Sequence, residues 1–298
     1  MKIIFTLIIA LISFSGIAQE NNSLLWKIYQ KGSTDTSFLY GSIHIKDKRV
    51  FNVNKHFDRV FSKSKTVALE LHFDSINPFQ LMNFIMMEDG KTLKTVMKEK
   101  KYQVVKSFFE DTLKTSIQYI ERFQPIYTST LLGEMQKGAS TDSNLNKQFL
   151  DEKFFSDAKE KGKKLVGLEK MEEQMQAFAS LPYEVQAELL FETIKQINEK
   201  PTSNPVEDLI QMYINQDLEG ISNYINDFNQ SDSETIKPYE NLLKEKLLDE
   251  RNLRMVSRSI NLIKNGNALI IVGAAHLPGE LGLIELYRKR GFSVEALK

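Results

Sequence analysis

The chain has 298 residues, with 39 Lys and Arg against 39 Asp and Glu, four His and no Cys. A neutral chain without a basic stripe has no broad electrostatic footprint for a phosphate backbone, which argues against a nucleic-acid partner. Without cysteine there is no disulfide framework, no thiolate nucleophile, no Cys-ligated zinc or iron–sulfur cluster and no lipobox cysteine, so any metal must be held by His and carboxylates.

At the N-terminus Lys2 precedes the apolar run 3–12 and a small-residue stretch ending at Ala18. The run is shorter than the ~20 residues a membrane span needs, so it predicts a signal peptide over 1–18 and cleavage near Ala18. Residues 19–298 then read as a single domain, exported to the periplasm or the medium, with no stable membrane span. Apolar, β-branched runs cluster at the two ends of the chain and helical periodicity fills the middle, the layout of a split domain.

Segments 24–29 and 37–40 are strands joined as a hairpin across the Gly32-Ser33-Thr34-Asp35 turn. Residues 54–64 fit a helix with Phe57, Val60 and Phe61 on its apolar side. A third strand, 66–73, alternates Val67, Leu69 and Leu71 toward a core with Ala68, Glu70 and His72 on a polar face. The pattern is helical from 78 to about 150, and 163–168 is a brief strand leading into Glu169 and another helix. Helices follow at 183–197 and 206–214, broken by the Pro201–Pro205 stretch. A helix opened by Pro238 runs to Asn265 and is closed by Gly266. Segment 268–272 is a strongly apolar strand, 279–290 a helix and 292–296 the last strand, an order that predicts a parallel pair at this end.

One arrangement occurs twice. Tyr40-Gly41-Ser42-Ile43-His44 follows one strand and Val272-Gly273-Ala274-Ala275-His276 follows another. Both read strand, then Gly-x-x-His. Glycine at a strand end permits close backbone approach, and strand ends are where sheets build sites. Two neutral imidazoles can share a divalent ion, but two ligands bind it weakly, so a carboxylate should stand nearby. Glu70, on the polar face of an otherwise apolar strand, is one candidate. Glu169, at the end of the 165–168 run, is the other, although an acid there also suits a helix N-terminus. Oxygen and nitrogen ligands alone leave Mn, Co, Fe or Zn open.

These residues resemble the TraB/GumN family, whose animal relatives include the Tiki metalloproteases that act on Wnt proteins. The likeness runs from Leu25-Trp26-Lys27 through Leu39–His44 to Leu69-Glu70-Leu71, then Thr141-Asp142 with Leu145, Lys164–Glu169 and Glu173-Gln174. It resumes at Leu247-Leu248-Asp249-Glu250-Arg251-Asn252, Val272–Gly279, Gly282-Leu283 and Gly291, and so covers nearly all of 19–298. The resemblance implies an α/β (α+β) fold: a central mixed β-sheet from the N- and C-terminal parts, flanked by helices, with helical insertions at about 77–160 and 171–265. It also implies a metal-dependent site built from both histidine blocks and the acids. Members of the family often carry an acid where His72 stands and a tryptophan where Met255 stands.

Arg251 and Asn252 lie in an amphipathic helix where Glu250 and Arg254 have i, i+4 spacing, which also suits a solvated charge cluster. The resemblance turns Arg251 and Asn252 toward the site, with Asp142, Gly41 and Gly273 as further contacts; His72, where the family often has an acid, is a further candidate because it shares a strand face with Glu70. The resulting expectation is a metal-dependent hydrolase, a peptidase acting on a peptide or protein substrate. His44, His276 and Glu70 or Glu169 hold the ion, the other glutamate accepts a proton, and Arg251 steadies an oxyanion. The His-Glu-x-x-His helix of common zinc peptidases is absent. Two alternatives stay open: an exported protein that sequesters a peptide without turning it over, in keeping with the family's link to blocked pheromone signalling, and a metal or haem carrier.

Overall fold

The computed structural model of the chain describes residues 22–138, 146, 148–199, 205–228 and 232–298. The leader at 1–18, the Thr141-Asp142 and Leu145 positions and most of the 201–205 break lie outside the described residues. The six predicted strands form one mixed sheet: β1 (Leu25–Gln30), β2 (Thr36–Ser42), β3 (Thr66–Leu71), β4 (Lys164–Glu169), β5 (Ala268–Gly273) and β6 (Phe292–Ala296), in the spatial order β4-β3-β5-β2-β1-β6. The expected hairpin joins β1 to β2, and β2, β5, β3 and β4 all run parallel.

Two expectations about strands are corrected. The last strand does not pair with β5. It adds antiparallel to the outer edge of β1, Trp26 opposite Ala296 and Gln30 opposite Phe292. The two strands point the same way, but β2 already occupies the free edge of β5, so β6 takes the next edge available. The second correction concerns β3, which lies inside the sheet with Val67, Ala68 and Leu69 all buried. A parallel strand covered on both sides carries apolar residues on both faces, so the polar character begins only at Glu70.

Five helices position the site: α1 (Phe57–Lys63), α2 (Leu150–Glu160), α3 (Met171–Phe178), α4 (Glu250–Lys264) and α5 (Leu283–Lys289). In α4 the buried residues Arg251, Asn252, Met255, Val256, Ser259 and Ile263 follow helical spacing and form the face laid on the sheet. The helical run before α4 starts at Lys237 and includes a π turn over Glu245–Asp249. After it Gly266 adopts φ +70°, which ends the run as a C-terminal glycine should. The register aligns Tyr40, Ile271 and Leu69 across the sheet, so Glu70 points to the opposite face from Tyr40. On the Tyr40 face Phe57 of α1 and Phe154 of α2 pack around that ring.

The helices Leu93–Val96, Glu99–Ser107 and Pro125–Gly138, which follow β3, pack with Tyr183–Glu199 around a separate core that includes Leu93, Val105, Phe109, Leu132, Leu190 and Ile194. No helix among the described residues is long and apolar enough to cross a membrane.

Candidate functional site

Four parallel strands end on one edge of the sheet, and that edge collects the candidate residues. Ser42 aligns with Gly273 and Leu71 with Glu169, which sets Glu70, Glu169 and both Gly-x-x-His blocks along it. Strand ends of a parallel sheet open into a crevice that loops can furnish. The two glycines serve space here. A Cβ on Gly41 would meet the Ala274 backbone at 3.1 Å, and a Cβ on Gly273 would meet Glu70 Oε1 at 3.2 Å. Gly273 thereby lets the Glu70 carboxylate reach its N–H, which donates to Oε1 at 2.6 Å.

His276 is buried, 4% exposed. Its Nδ1 donates to Asn252 Oδ1 at 2.6 Å, while the Asn252 amide nitrogen donates to the Leu281 carbonyl at 2.9 Å and so fixes which end of the amide faces the ring. Burial outweighs the pull of Glu70 and lowers the imidazole well below the ordinary histidine range, leaving it neutral near pH 7. With the proton on Nδ1, Nε2 carries a lone pair and faces Glu70 Oε1 at 3.7 Å.

Glu70 and Glu169 are tied together by one guanidinium. Arg251 Nη2 donates to Glu70 Oε2 at 2.7 Å and to Glu169 Oε2 at 2.8 Å, and its Nε reaches Glu169 Oε2 at 3.0 Å. Gln174 of α3 donates to the same two oxygens. Arg254 closes the other side of Glu169, donating to Oε1 at 3.0 Å, and Arg258 pairs with Glu173 at 2.7 Å. Arginines at 251, 254 and 258 thus form one face of α4 and meet acids from β3, β4 and α3. The local Glu250–Arg254 pair that the i, i+4 spacing allowed is replaced: Glu250 binds back to Lys246 and Arg254 goes to Glu169. Burial opposes ionisation of Glu70, but the charge that His276 takes up at low pH, the Arg251 guanidinium and the Gly273 N–H hold its carboxyl well below the usual carboxylate range.

His44 stands two residues beyond β2 with its side chain 53% exposed. Its Nδ1 lies 3.3 Å from Asp151 Oδ2, and Phe149 stacks on the ring at 3.8 Å. The other Asp151 oxygen accepts from Ser42 Oγ. His72 takes a different direction from the one its strand phase suggested. β3 ends at Leu71, and the ring of His72 packs edge-on against Phe155 of α2 while Glu70 faces Arg251 of α4. Its Nδ1 is buried without a hydrogen-bond partner.

The structure therefore brings Glu70, Glu169, Arg251, Asn252 and His276 into one connected cluster. Among the described residues no three His, Asp or Glu side chains are grouped closely enough to enclose an ion. Sequence reasoning missed Asp151 and the sharing of Gln174 between the two glutamates. Asp151 reads as an ordinary first-turn acid of an amphipathic helix, and only the tertiary fold shows what it touches.

A family model described as the TraB/PrgY/gumN family matches residues 24–296. Among curated proteins the chain is similar to metalloprotease TIKI2 of Danio rerio, 23% identical over 93% of this chain and 61% of that protein. It is likewise similar to a metalloprotease TIKI homolog of Nematostella vectensis, 22% identical over 94% of the chain and 68% of the relative. Metalloprotease TIKI2 of Xenopus tropicalis is 23% identical over 93% and 60%. The chain thus spans about three fifths to two thirds of the length of these relatives. No solved structure matches it significantly.

Proposed function

Because the chain belongs to the TraB/PrgY/gumN family, we propose that it is a metal-dependent hydrolase acting on a peptide or protein, exported after removal of residues 1–18. The observation that carries this reading is the pair His276 Nε2 and Glu70 Oε1. Both are acceptors, both are partly or wholly buried, and they face each other at 3.7 Å with the imidazole proton on the far nitrogen. Such a pair suits a cation, and a His whose Nδ1–H is held by an oxygen is the usual form of a metal-bound imidazole. His276 and Glu70 are the adjacent pair that would engage a divalent ion of the Mn, Co, Fe or Zn class, with His44, held apart on Asp151, as the further ligand the resemblance implies; when bound the ion supplies Lewis-acid polarisation.

The protein groups divide the remaining work. Glu169 is enclosed, both oxygens spent on Arg251, Arg254 and Gln174, so its role is to anchor Arg251 rather than to move a proton. Arg251 in turn holds Glu70 Oε2 and keeps the carboxylate ionised and aimed. Glu70 Oε1 is the oxygen of the two acids that no arginine holds, so it is the one that can face a cation beside His276 Nε2. With its donors committed to carboxylates and to the Leu247 carbonyl, Arg251 acts on substrate through Glu70 and not as an oxyanion donor. A recess of about 260 Å³ borders Asn252 and Ala275, lined also by Leu248, Pro278 and Leu281, and would take a substrate side chain.

The test compares the native protein with the double variant His44→Ala, His276→Ala, measuring bound metal and cleavage of a peptide library on the same sample, with circular dichroism to establish folding. The expected result is near-stoichiometric divalent metal and metal-dependent cleavage in the native protein, both lost in the folded variant. Unchanged cleavage by the folded double variant overturns the reading.

A further inference from the structure

The loop after β5 walls a groove that extends beyond the candidate site. The recess bordering Asn252 and Ala275 adjoins a second one of about 300 Å³, and the two share Ser222, Pro278 and Gly279 as a common wall. Ala275 directly precedes His276, so the groove starts beside the candidate pair, and its far recess reaches Trp26 of β1. The wall is rigid. Gly279 holds φ +91°, and a Cβ on Gly282 would fall 2.1 Å from the Pro278 carbonyl oxygen. Three hydrogen bonds fasten the turn: Ile284 N–H donates to the Leu277 carbonyl, the Asn252 amide to the Leu281 carbonyl and Lys289 Nζ to the Glu280 carbonyl. A wall fixed in this way is shaped before a ligand arrives, which lowers the cost of binding.

Size and charge select the occupant. A pocket for a compact small molecule takes roughly 300–1,000 Å³. Two recesses of about 260 and 300 Å³ side by side suit successive side chains of an extended chain instead. Residues i and i+2 of such a chain project to the same side, about 6.6 Å apart. Both recesses have apolar walls, Trp26, Leu277 and Ile284 in the far one and Ile225 and Leu248 in the near one. Each also carries one ion pair and one further acid. In the near recess Lys244 holds Asp249 at 2.7 Å, and Glu280 stands on the rim with its side chain 90% exposed, 3.7 Å from Lys289. In the far recess Arg288 holds Glu285 at 2.6 Å, and the exposed Glu219 has no cation partner among the described residues. Apolar walls under an acidic rim match a side chain with a long aliphatic stem and a cationic head. We propose that this groove binds an extended peptide carrying Lys or Arg at positions i and i+2, the stems in the two recesses and the heads at Glu219 and Glu280. The assignment rests on the reading that the substrate is a peptide, and it holds whichever groups engage an ion.

Trp26 is the one tryptophan of the chain and lines the far recess, so its fluorescence reports occupancy without any cleavage. The purified protein is titrated with three end-blocked pentapeptides, Ala-Arg-Ala-Arg-Ala and the same sequence with Leu or Glu in place of Arg, and the mixtures are examined for cleavage by mass spectrometry. The expected result is a saturable change with the Arg peptide, weaker binding of the Leu peptide and none of the Glu peptide, with the Arg-peptide affinity falling as salt is raised. Glu219→Gln and Glu280→Gln should each weaken the Arg peptide roughly 2–5-fold, and Ser222→Phe, which fills the shared wall, should abolish binding of all three. No saturable response in the native protein, equal or tighter binding of the Leu or Glu peptide, or native affinity in Ser222→Phe overturns the proposal. If Ser222→Phe does not fold, unchanged Arg-peptide affinity in the double variant Glu219→Gln, Glu280→Gln overturns it instead. Binding of the Arg peptide with no peptide cleaved defeats the hydrolase reading alone, whereas cleavage without preference for the Arg peptide defeats the groove assignment alone.

Discussion

His276 is 4% exposed, its ring bonded to α4 through Asn252 and facing a carboxylate that is itself bonded to the backbone of β5. His44 has half its side chain in solvent and is held by Asp151 and Phe149, which belong to a different part of the chain. The same four-residue pattern thus yields one histidine built into the core and one held from outside. The contrast separates cost from purpose. Around His276 the polar groups are buried, so disturbing any of them is paid in stability; around His44 water can replace what is removed, and the loss is confined to how the ring is aimed.

The sharpest way to break this contrast is Arg251→Ala. It leaves Glu70 and Glu169 without their shared counterion, and removal of one partner from a buried ion cluster costs roughly 3–5 kcal/mol. Urea unfolding should show a midpoint far below the native one. Asn252→Ala comes next, because it strands the His276 Nδ1–H and the Leu281 carbonyl, with an expected loss of about 1–3 kcal/mol in the same assay. His44→Ala, by contrast, should change stability by no more than about 0.5 kcal/mol, so a large loss of stability there would collapse the distinction. The smallest effect lies at the outer rung of the α4 ladder. Arg258 lowers the Glu173 carboxyl to about 2, so unfolding stability gained from this pair is present above the ordinary carboxyl range and is lost as pH falls from about 4.5 toward 2. The pair is partly solvated, so its contribution is under about 1 kcal/mol, and Arg258→Ala should flatten that segment of the stability–pH curve.

Much of the fold was legible because strand signals are local. All six strands stand where β-branched and apolar runs predicted them, and the two glycines mark the edge where the candidate groups gather. The partner of β6 was not legible, since edge choice depends on which strand has an unpaired side after the sheet has assembled. Asp151 escaped notice for a related reason. Its sequence surroundings, Leu150 to Glu160, satisfy an amphipathic helix completely, and nothing within that helix says that its first turn abuts a loop from residue 44. Arg254 misled in the opposite sense, with a local acid at the right spacing and a buried long-range acid that won. Glu70 stood out as a carboxylate on an apolar strand and the resemblance turned Arg251 toward the site, but that the two pair directly became visible only through the packing of α4 across the sheet.

The central place of β5 has a consequence for how the molecule is made. Strands β3 and β2 do not touch; β5 lies between them, and it is supplied by residues 268–273, near the end of the sequence. Until those residues have been synthesised, the earlier strands can form only two separate pairs, β1 with β2 and β3 with β4. Neither pair can bury its apolar edge, and the residues of the site stay scattered along the chain. Contacts so distant in sequence make for slow assembly. A chain still emerging accordingly lacks the central strand of this edge, and the two Gly-x-x-His blocks can come together only once residues 268–276 have been made.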